Sequence, residues 1–337
     1  MKIKVSPVQI WPSAPLIAGR LVSTFVRQPR PFRFSAQEHQ AHSAQQWRER
    51  ARAIESMGYA SLYLPDHFGD QVGPIAGLMA AADATTKLRI GPLVFDNDYR
   101  HPVVLAKEAA TLDLLSDGRL DFGIGAGWMV SDYEQAGIPY DSAGTRIERL
   151  AEALTIIKML FAGGEVSFQG KHYSVNGVEG APLPVQKPHP PIVLGGGGRK
   201  MLELAAREAD TINVNFDLRA GRPSRRVART GLAEATDEKL SWIRDAAGQR
   251  MEGIELGVWT MVATVTDDRE SVASMLAPSM GLEPSDVLAI PHLMIGTVDQ
   301  IAEDLVARRE RYGISHIVVP GDAADSLAPV VERLAGK

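Results

Sequence analysis

The stretch from Leu88 to Ile124 decides the fold: Leu88-Arg89-Ile90-Gly91-Pro92-Leu93-Val94-Phe95, then Pro102–Leu115, then Leu120-Asp121-Phe122-Gly123-Ile124. The two end runs are short and apolar without alternation, as strands buried on both faces require. The middle run has helical period and is too long for a hairpin turn, so it reads as the crossover of a parallel βαβ unit. The same rhythm extends in both directions. Strand-like runs recur at Phe32–Ala36, Ser61–Leu64, Leu88–Phe95, Leu120–Ile124, Pro191–Leu194, Thr211–Val214, Ile254–Val265 and His316–Val319. Helical stretches lie between them at Ser43–Met57, Gly73–Ala84, Pro102–Leu115, Thr145–Phe161, Arg199–Arg207, Arg225–Ala247, Thr297–Tyr312 and Ser326–Leu334. Ser43-x-x-Gln46, Thr145-x-x-Glu148 and Thr297-x-x-Gln300 read as capping boxes, and Gly58 and Gly313 as helix stops. Eight strands alternating with eight helices fill a closed (β/α)8 TIM barrel, whereas an open sheet of six strands would leave two units over.

Residues 1–31 break the rhythm. Pro7, Pro12, Pro15, Pro29 and Pro31 interrupt short β-like runs, so this is an N-terminal arm, with the barrel domain at 32–337. Two connections exceed what a barrel needs. Gly163 to Pro190 holds a hairpin turning at Gln169-Gly170, and Arg269 to Gly296 reads as a long loop at the rim, where substrate lids sit.

Composition excludes several classes of function. The chain has 337 residues, with 36 Lys and Arg against 41 Asp and Glu, a net charge of −5. Nucleic acid is not an expected partner, because phosphate binding needs a net basic face. Cysteine is absent, which removes disulfides, thiolate nucleophiles and Cys-ligated metals. Without a His-x-His or His-Glu-x-x-His motif, no metal centre is expected. No apolar run has membrane-span length and no signal-peptide region opens the chain, so no membrane contact and a cytoplasmic location are expected.

In a βα barrel the active site forms at the C-terminal strand ends. Those ends here read Leu64-Pro65-Asp66-His67, Val94-Phe95-Asp96-Asn97-Asp98, Gly123-Ile124-Gly125-Ala126-Gly127-Trp128, Gly195-Gly196-Gly197-Gly198-Arg199 and Asn213-Val214-Asn215. The glycine run before a helix suits a phosphate, whose charge meets first-turn amides, with Arg199 as a charge-assisted donor. The blander reading is a turn needing positive φ. His67 is the candidate acid or base, beside Asp66. Gly123-x-Gly125-x-Gly127 fails the dinucleotide fingerprint; it reads either as backbone against a flat ring, with Trp128 as a wall, or as tight barrel packing. Arg219, Arg222, Arg225, Arg226 and Arg229 form either a solvated helix start or a dock for an acidic ligand tail.

Tyr59-x-x-Leu62-Tyr63-x-Pro65-Asp66-His67, Leu88-Arg89-Ile90-Gly91-Pro92-Leu93-Val94, His101-Pro102 with Ala106 to Asp113, and Leu115-Ser116-Asp117-Gly118-Arg119-Leu120 leading to Trp128 resemble the bacterial luciferase-like monooxygenase superfamily. That resemblance implies a luciferase-like TIM barrel with mouth insertions that binds FMN or the deazaflavin coenzyme F420. The Val94 to Asp98 stretch and the glycine run are similar to the deazaflavin branch. Carried over, Asp66 and His67 are the catalytic candidates. Leu93, Val94, Phe95, Asp96 and Asn97 form a bulge behind the ring, where family members often hold a cis peptide. Gly125, Ala126, Gly127 and Trp128 line the ring or its side chain, and Gly195, Gly196, Gly197, Gly198 and Arg199 hold the phosphate. Deazaflavin-dependent sugar dehydrogenases of the superfamily place a glutamate where Trp128 stands, so their substrate does not carry over. The resemblance implies an F420-dependent oxidoreductase acting on a small organic substrate. The alternatives are an FMN-dependent monooxygenase using oxygen and a non-catalytic flavin-binding protein. It also implies a homodimer, with Ala76, Leu78, Met79, Ala80 and Ala81 beside Leu105, Ala109, Leu112 and Leu115 as the apolar faces.

Overall fold

The computed structural model describes residues 29–337, so the arm at 1–31 lies outside the described residues except for its last few. In chain order the strands are β1 (Arg33–Gln37), β2 (Ser61–Leu64), β3 (Arg89–Pro92), β4 (Phe95–Asp96), β5 (Phe122–Gly125), β6 (Glu165–Gln169), β7 (Ser174–Glu179), β8 (Ile192–Gly196), β9 (Thr211–Val214), β10 (Glu255–Trp259), β11 (Val262–Val265), β12 (Leu293–Gly296) and β13 (Ile314–Pro320). Nine of them make one sheet, in the order β3-β2-β1-β13-β10-β9-β8-β5-β4. β3 and β4 are halves of one stave, separated at the cis Leu93–Val94 peptide. A parallel bridge from Ile90 to Leu120 closes the ring, so nine strands fill eight staves and the chain is a TIM barrel. Every strand pairing within this sheet is parallel, and its staves are buried along nearly their whole length. That is why the sequence shows unbroken apolar runs there.

The start of the barrel is filled by charge. Arg33 bridges Asp121 at 3.0 Å and Glu255 at 2.5 Å, and Arg89 reaches Asp121 from the other side at 2.7 Å. The Tyr63 hydroxyl donates to Asp121 at 2.7 Å. Two arginines beside it hold the buried Asp121 carboxyl down at about 2 against the cost of burial. Arg33 donates to His316 Nδ1, so His316 Nε2 donates to Ser35 Oγ, and burial keeps this imidazole neutral, its pKa lowered to about 3.

Four sequence readings change. The single strand expected at Ile254–Val265 is two, because the Thr260 amide and hydroxyl both bond to the Val318 carbonyl and turn the chain out of the barrel. The long loop at Arg269–Gly296 contains helices Arg269–Met280 and Pro284–Ala289 and then β12, which pairs with β11 in a small parallel sheet. The helix expected at Arg225–Ala247 is broken into Arg225–Arg229 and Ala233–Ala247. Lys239 donates to the Thr230 carbonyl and draws it out of the first helix, while Gly231 sits against the Phe216 ring. Finally, the fourth barrel-side helix is Ala143–Ala162, capped by Ser142 rather than Thr145. The capping box at Thr297 forms as read, as does the β6–β7 hairpin.

A second apolar core lies apart from the barrel's. Phe216, Val227, Ala273, Ala277, Met280 and Ile290 belong to it, so the segments after β9 and β11 pack on one another.

Candidate active site

The C-terminal strand ends open into a cavity of about 1160 Å³. Of the sequence-predicted residues, Asp66, His67, Leu93, Val94, Asp96, Gly125, Ala126, Gly127, Trp128 and Gly195 through Arg199 all line it. Phe95 and Asn97 do not. Phe95 is fully buried, stacking with Phe122 beneath Arg100, and Asn97 turns away to donate to the Tyr173 hydroxyl. A one-residue step along a strand reverses the face, which places Phe95 behind the wall that Asp96 lines, while Asn97 starts the turn Asn97–Tyr99.

His67 follows β2, and its Nδ1 lies 2.6 Å from Asp132 Oδ2. With the carboxylate accepting, the proton sits on Nδ1, and Nε2 is left for the cavity. Asp132 is buried in the short helix Val130–Ala136, which the sequence reading missed, and it also accepts from Tyr99 at 3.3 Å. Trp128 meets His67 edge to face, with ring centres 5.9 Å apart. The Asp66 carboxylate is held by Arg100 through bonds of 2.5 and 3.0 Å and accepts from the Asp96 amide at 3.0 Å, so it braces the loop after β3.

Asp96 stands at the end of β4 with two lone-pair partners, the Tyr133 hydroxyl at 3.0 Å and the Asp98 amide at 2.9 Å. Burial, reinforced by the Asp98 and Asp66 carboxylates, pushes its pKa up to about 7. Gly127 lets the chain pass this cluster: at φ +70° its Cβ would stand 1.9 Å from the Tyr133 oxygen. Gly123 likewise faces the Pro92 carbonyl, where a Cβ would meet it at 2.0 Å. Tight packing therefore explains these two glycines, and Gly125 and Gly127 also line the cavity. Arg146 fixes the same loop by donating to the Ala126 carbonyl at 3.0 Å.

The glycine run ends β8 and caps helix Arg199–Glu208 at Gly198, with no side-chain cap and no acidic residue in the first turn. First-turn amides without intrahelical acceptors therefore face the cavity end. None of the four glycines has positive φ, so the turn reading does not hold. Gly197 is required by packing, since its Cβ would lie 2.2 Å from the Phe216 carbonyl; Gly195 has ordinary room, with its nearest neighbour at 3.6 Å. Arg199 points along the helix to Glu203 at 2.7 Å. Lys200 makes no ion pair among the described residues and stands near Gly144, at the start of helix Ala143–Ala162. It is the cation the sequence reading overlooked.

Two buried polar atoms sit at the cavity wall without a partner. Asn213 Oδ1 accepts from the Trp259 amide at 3.0 Å, which points Nδ2 elsewhere, and that Nδ2 has no partner. Trp259 Nε1 also has none. Both residues line the cavity. Orphaned donors of this kind cost free energy unless an acceptor meets them. The uncapped first turn after Gly198, with Lys200 beside it, fits a phosphate, and the cavity has room for a flat ring. Asn213 stands in the strand end Asn213-Val214-Asn215, where a lone amide gives no pattern in the sequence. Asp132 and Tyr133 follow the Trp128 loop closely enough to have been sought there. Among the described residues no group of His, Cys, Asp and Glu could hold a metal ion.

Residues 30–285 match the family described as luciferase-like monooxygenase. The chain is 34% identical to an F420-dependent glucose-6-phosphate dehydrogenase of Microbacterium testaceum, over 46% of this chain and 48% of that protein. It is 28% identical to an FMNH2-dependent dimethylsulfone monooxygenase of Pseudomonas putida, over 48% of this chain and 44% of that one. These matches thus span about half the length of either relative. In structure it is similar to the coenzyme F420 dependent tetrahydromethanopterin reductase of Methanopyrus kandleri, with a TM-score of 0.74, 16% identity, and coverage of 90% of this chain and 98% of that one.

Proposed function

The chain belongs to the luciferase-like monooxygenase family, and from that premise we propose that it is an oxidoreductase using the deazaflavin F420 on a small organic substrate. The observation that carries this reading is the pairing, in one cavity, of His67 held by Asp132 with an anion cradle of first-turn amides and Lys200. When bound, the deazaflavin supplies a two-electron donor or acceptor at ring carbon C5. The protein does the rest. Asp132 holds the Nδ1 proton of His67, and Nε2 takes a proton from the substrate oxygen or returns it. Asn213 and Trp259 would flank the ring, Leu93 and Val94 would back it, and Gly195, Gly198 and Lys200 would receive the phosphate. Asp66, through Arg100, keeps the β4 loop in place.

The choice of F420 over FMN rests on surplus positive charge. Arg222, Arg226 and Arg229 are exposed on or beside the short helix Arg225–Arg229, whose Val227 and Ala228 line the cavity; an acidic polyglutamate tail needs such cations, and FMN has no such tail. FMN with oxygen remains the second reading, favoured by the Pseudomonas putida relative. Titration of the cofactor-free protein separates them: micromolar F420 affinity with weaker FMN affinity is expected, and the reverse order would replace this reading with the monooxygenase.

Assembly as a homodimer is part of the proposal, with a revised face. Leu78, Ala81, Leu105, Ala109 and Leu112 pack into the barrel core, so they do not form it. Val104, Leu114 and Leu115 on helix Pro102–Leu115 are exposed and apolar, and they supply the face instead. A monomer in light scattering at micromolar concentration would remove this part.

A further inference from the structure

We infer that Asp96 is a positioning residue for His67: one proton shared among Asp96, Tyr133 and Asp98 seats the helix Val130–Ala136, and that helix sets Asp132 on the His67 ring. This rests on the reading of the cavity as a redox site in which His67 moves a proton. The Tyr133 hydroxyl lies 3.1 and 3.0 Å from the two Asp96 oxygens and 3.0 Å from Asp98 Oδ2. It has one proton to donate and lone pairs to accept another. Arg149 donates to Asp98 Oδ1 at 2.8 Å, and the Asp98 amide donates to Asp96 Oδ1 at 2.9 Å. One arrangement satisfies every contact. Tyr133 donates to Asp98 Oδ2, and a protonated Asp96 donates from Oδ2 to the Tyr133 oxygen. Without that second proton, two carboxylates compete for a single hydroxyl.

Several elements bring charge to this point. Asp66, after β2, accepts from the Asp96 amide and is paired with Arg100, which also feels the Asp96 charge. Asp98 and Tyr99 face Asp96 from the turn Asn97–Tyr99, and Tyr133 does so from helix Val130–Ala136, with Arg146 over its ring. Burial, joined by the Asp98 and Asp66 carboxylates, outweighs the bonds that favour the ionised form and holds the Asp96 pKa at about 7. The turn grips the helix at two successive residues: Asp98 meets Tyr133, and the Tyr99 hydroxyl donates to Asp132 at 3.3 Å. Because Asp132 adjoins Tyr133, a Tyr133 displaced by unbalanced carboxylates draws Asp132 off its 2.6 Å contact with His67 Nδ1. Such a bond weakens steeply with geometry. His67 therefore loses the partner that fixes its tautomer as Asp96 ionises.

Nuclear magnetic resonance of the cofactor-free full chain with isotope-labelled histidine tests this from about pH 6 to about pH 8, either side of the Asp96 value of about 7. The His67 Nδ1 proton is assigned by its loss in His67→Gln, and its exchange with water is followed. At about pH 8 only about a tenth of wild type keeps the Asp96 proton, so exchange should be roughly tenfold slower in Asp96→Asn. There the amide donates to the Tyr133 oxygen at every pH. At about pH 6 the two proteins should agree. Tyr133→Phe removes the shared hydroxyl and should exchange fast at both values. A merely structural role would give no pH-dependent gap between wild type and Asp96→Asn. Equal exchange in those two at the higher pH would overturn the inference, and so would slow exchange in Tyr133→Phe or an Asp96→Asn chain that does not fold. A chain that fails to bind F420 in a separate titration defeats the cofactor reading instead, and the exchange result stands because it is measured without cofactor.

Discussion

A histidine at a strand end is only a candidate until something fixes its tautomer, and Asp132 does that for His67 at 2.6 Å. His67→Ala is expected to lower kcat by about 10²–10⁴-fold, the usual worth of a positioned acid or base, with cofactor affinity kept. A protein that merely binds flavin would show no turnover to lose. Asp132→Asn keeps an acceptor but removes the charge that stabilises the protonated ring; kcat should fall by about tenfold at unchanged cofactor affinity. Asp96 gives a second test at this scale. Its folded pKa of about 7 exceeds the ordinary 3.8, so the folded state holds a proton that the unfolded chain has lost between those values. Its contribution is complete below pH 3.8 and is lost as pH rises through 7. Asp96→Asn should therefore melt like wild type at low pH and above it at pH 8, as calorimetry across that range would show. His67 and the glycines were legible in the sequence because such residues at strand ends are conspicuous. Asp132 was not, because its role depends on a short helix folding back across the mouth.

Elements repeat the distinction between signals the chain carries locally and signals that need a partner. The barrel strands and most outer helices were legible because apolar runs, caps and glycine stops are local. The breaks at Thr260 and Gly231 were not, since they are imposed by contacts with Val318, Lys239 and Phe216 that no local pattern announces. The segment after β11 lacked a strong period, and its helix Arg269–Met280 carries Pro278 inside it, so it passed for a loop. The four glycines of the run all line the cavity but differ in the room around them. Gly197→Ala should lower the melting temperature, because the Phe216 backbone must move to admit a Cβ. Gly195→Ala has room, so it should melt normally and weaken only the phosphate-bearing cofactor. Lys200→Ala should cost a charge-assisted contact of about 1.5–3 kcal/mol, or roughly ten- to hundredfold in affinity, and spare a ring-only analogue. Differential scanning calorimetry and cofactor titration on the three variants separate these effects. A Gly197→Ala protein that melts like wild type would show that the Phe216 contact is not what requires the glycine.

The whole molecule divides its work between the two ends of the barrel. At the C-terminal end the strand ends line the cavity; at the start of the staves a network of matched charges fills the barrel. Arg33, Arg89, Asp121, Glu255 and His316 come from five segments distant in sequence, and each alone looked like an ordinary charge within an apolar run. No period or motif announces them, because the network exists only once the ring has closed. Its members sit where a barrel's conserved polarity supports stability and not turnover. Asp121 is the centre, since it alone faces both arginines. Asp121→Asn removes that charge while keeping the shape, leaving Arg33 and Arg89 in a largely buried site with one carboxylate fewer. Breaking one side of such a pair costs about 3–5 kcal/mol. The variant should therefore unfold at distinctly lower denaturant concentration, yet its folded fraction should bind cofactor as wild type does, because the cavity lies at the other end. The folded Asp121 carboxyl ionises near 2, below the ordinary 3.8, so its stabilisation is present above pH 3.8 and is lost as pH falls through 2. The stability gap between wild type and Asp121→Asn should thus be full at neutral pH and close in strong acid. A variant that kept wild-type stability at neutral pH, or lost cofactor affinity along with it, would show that the two ends are not separate in the way the charge pattern implies.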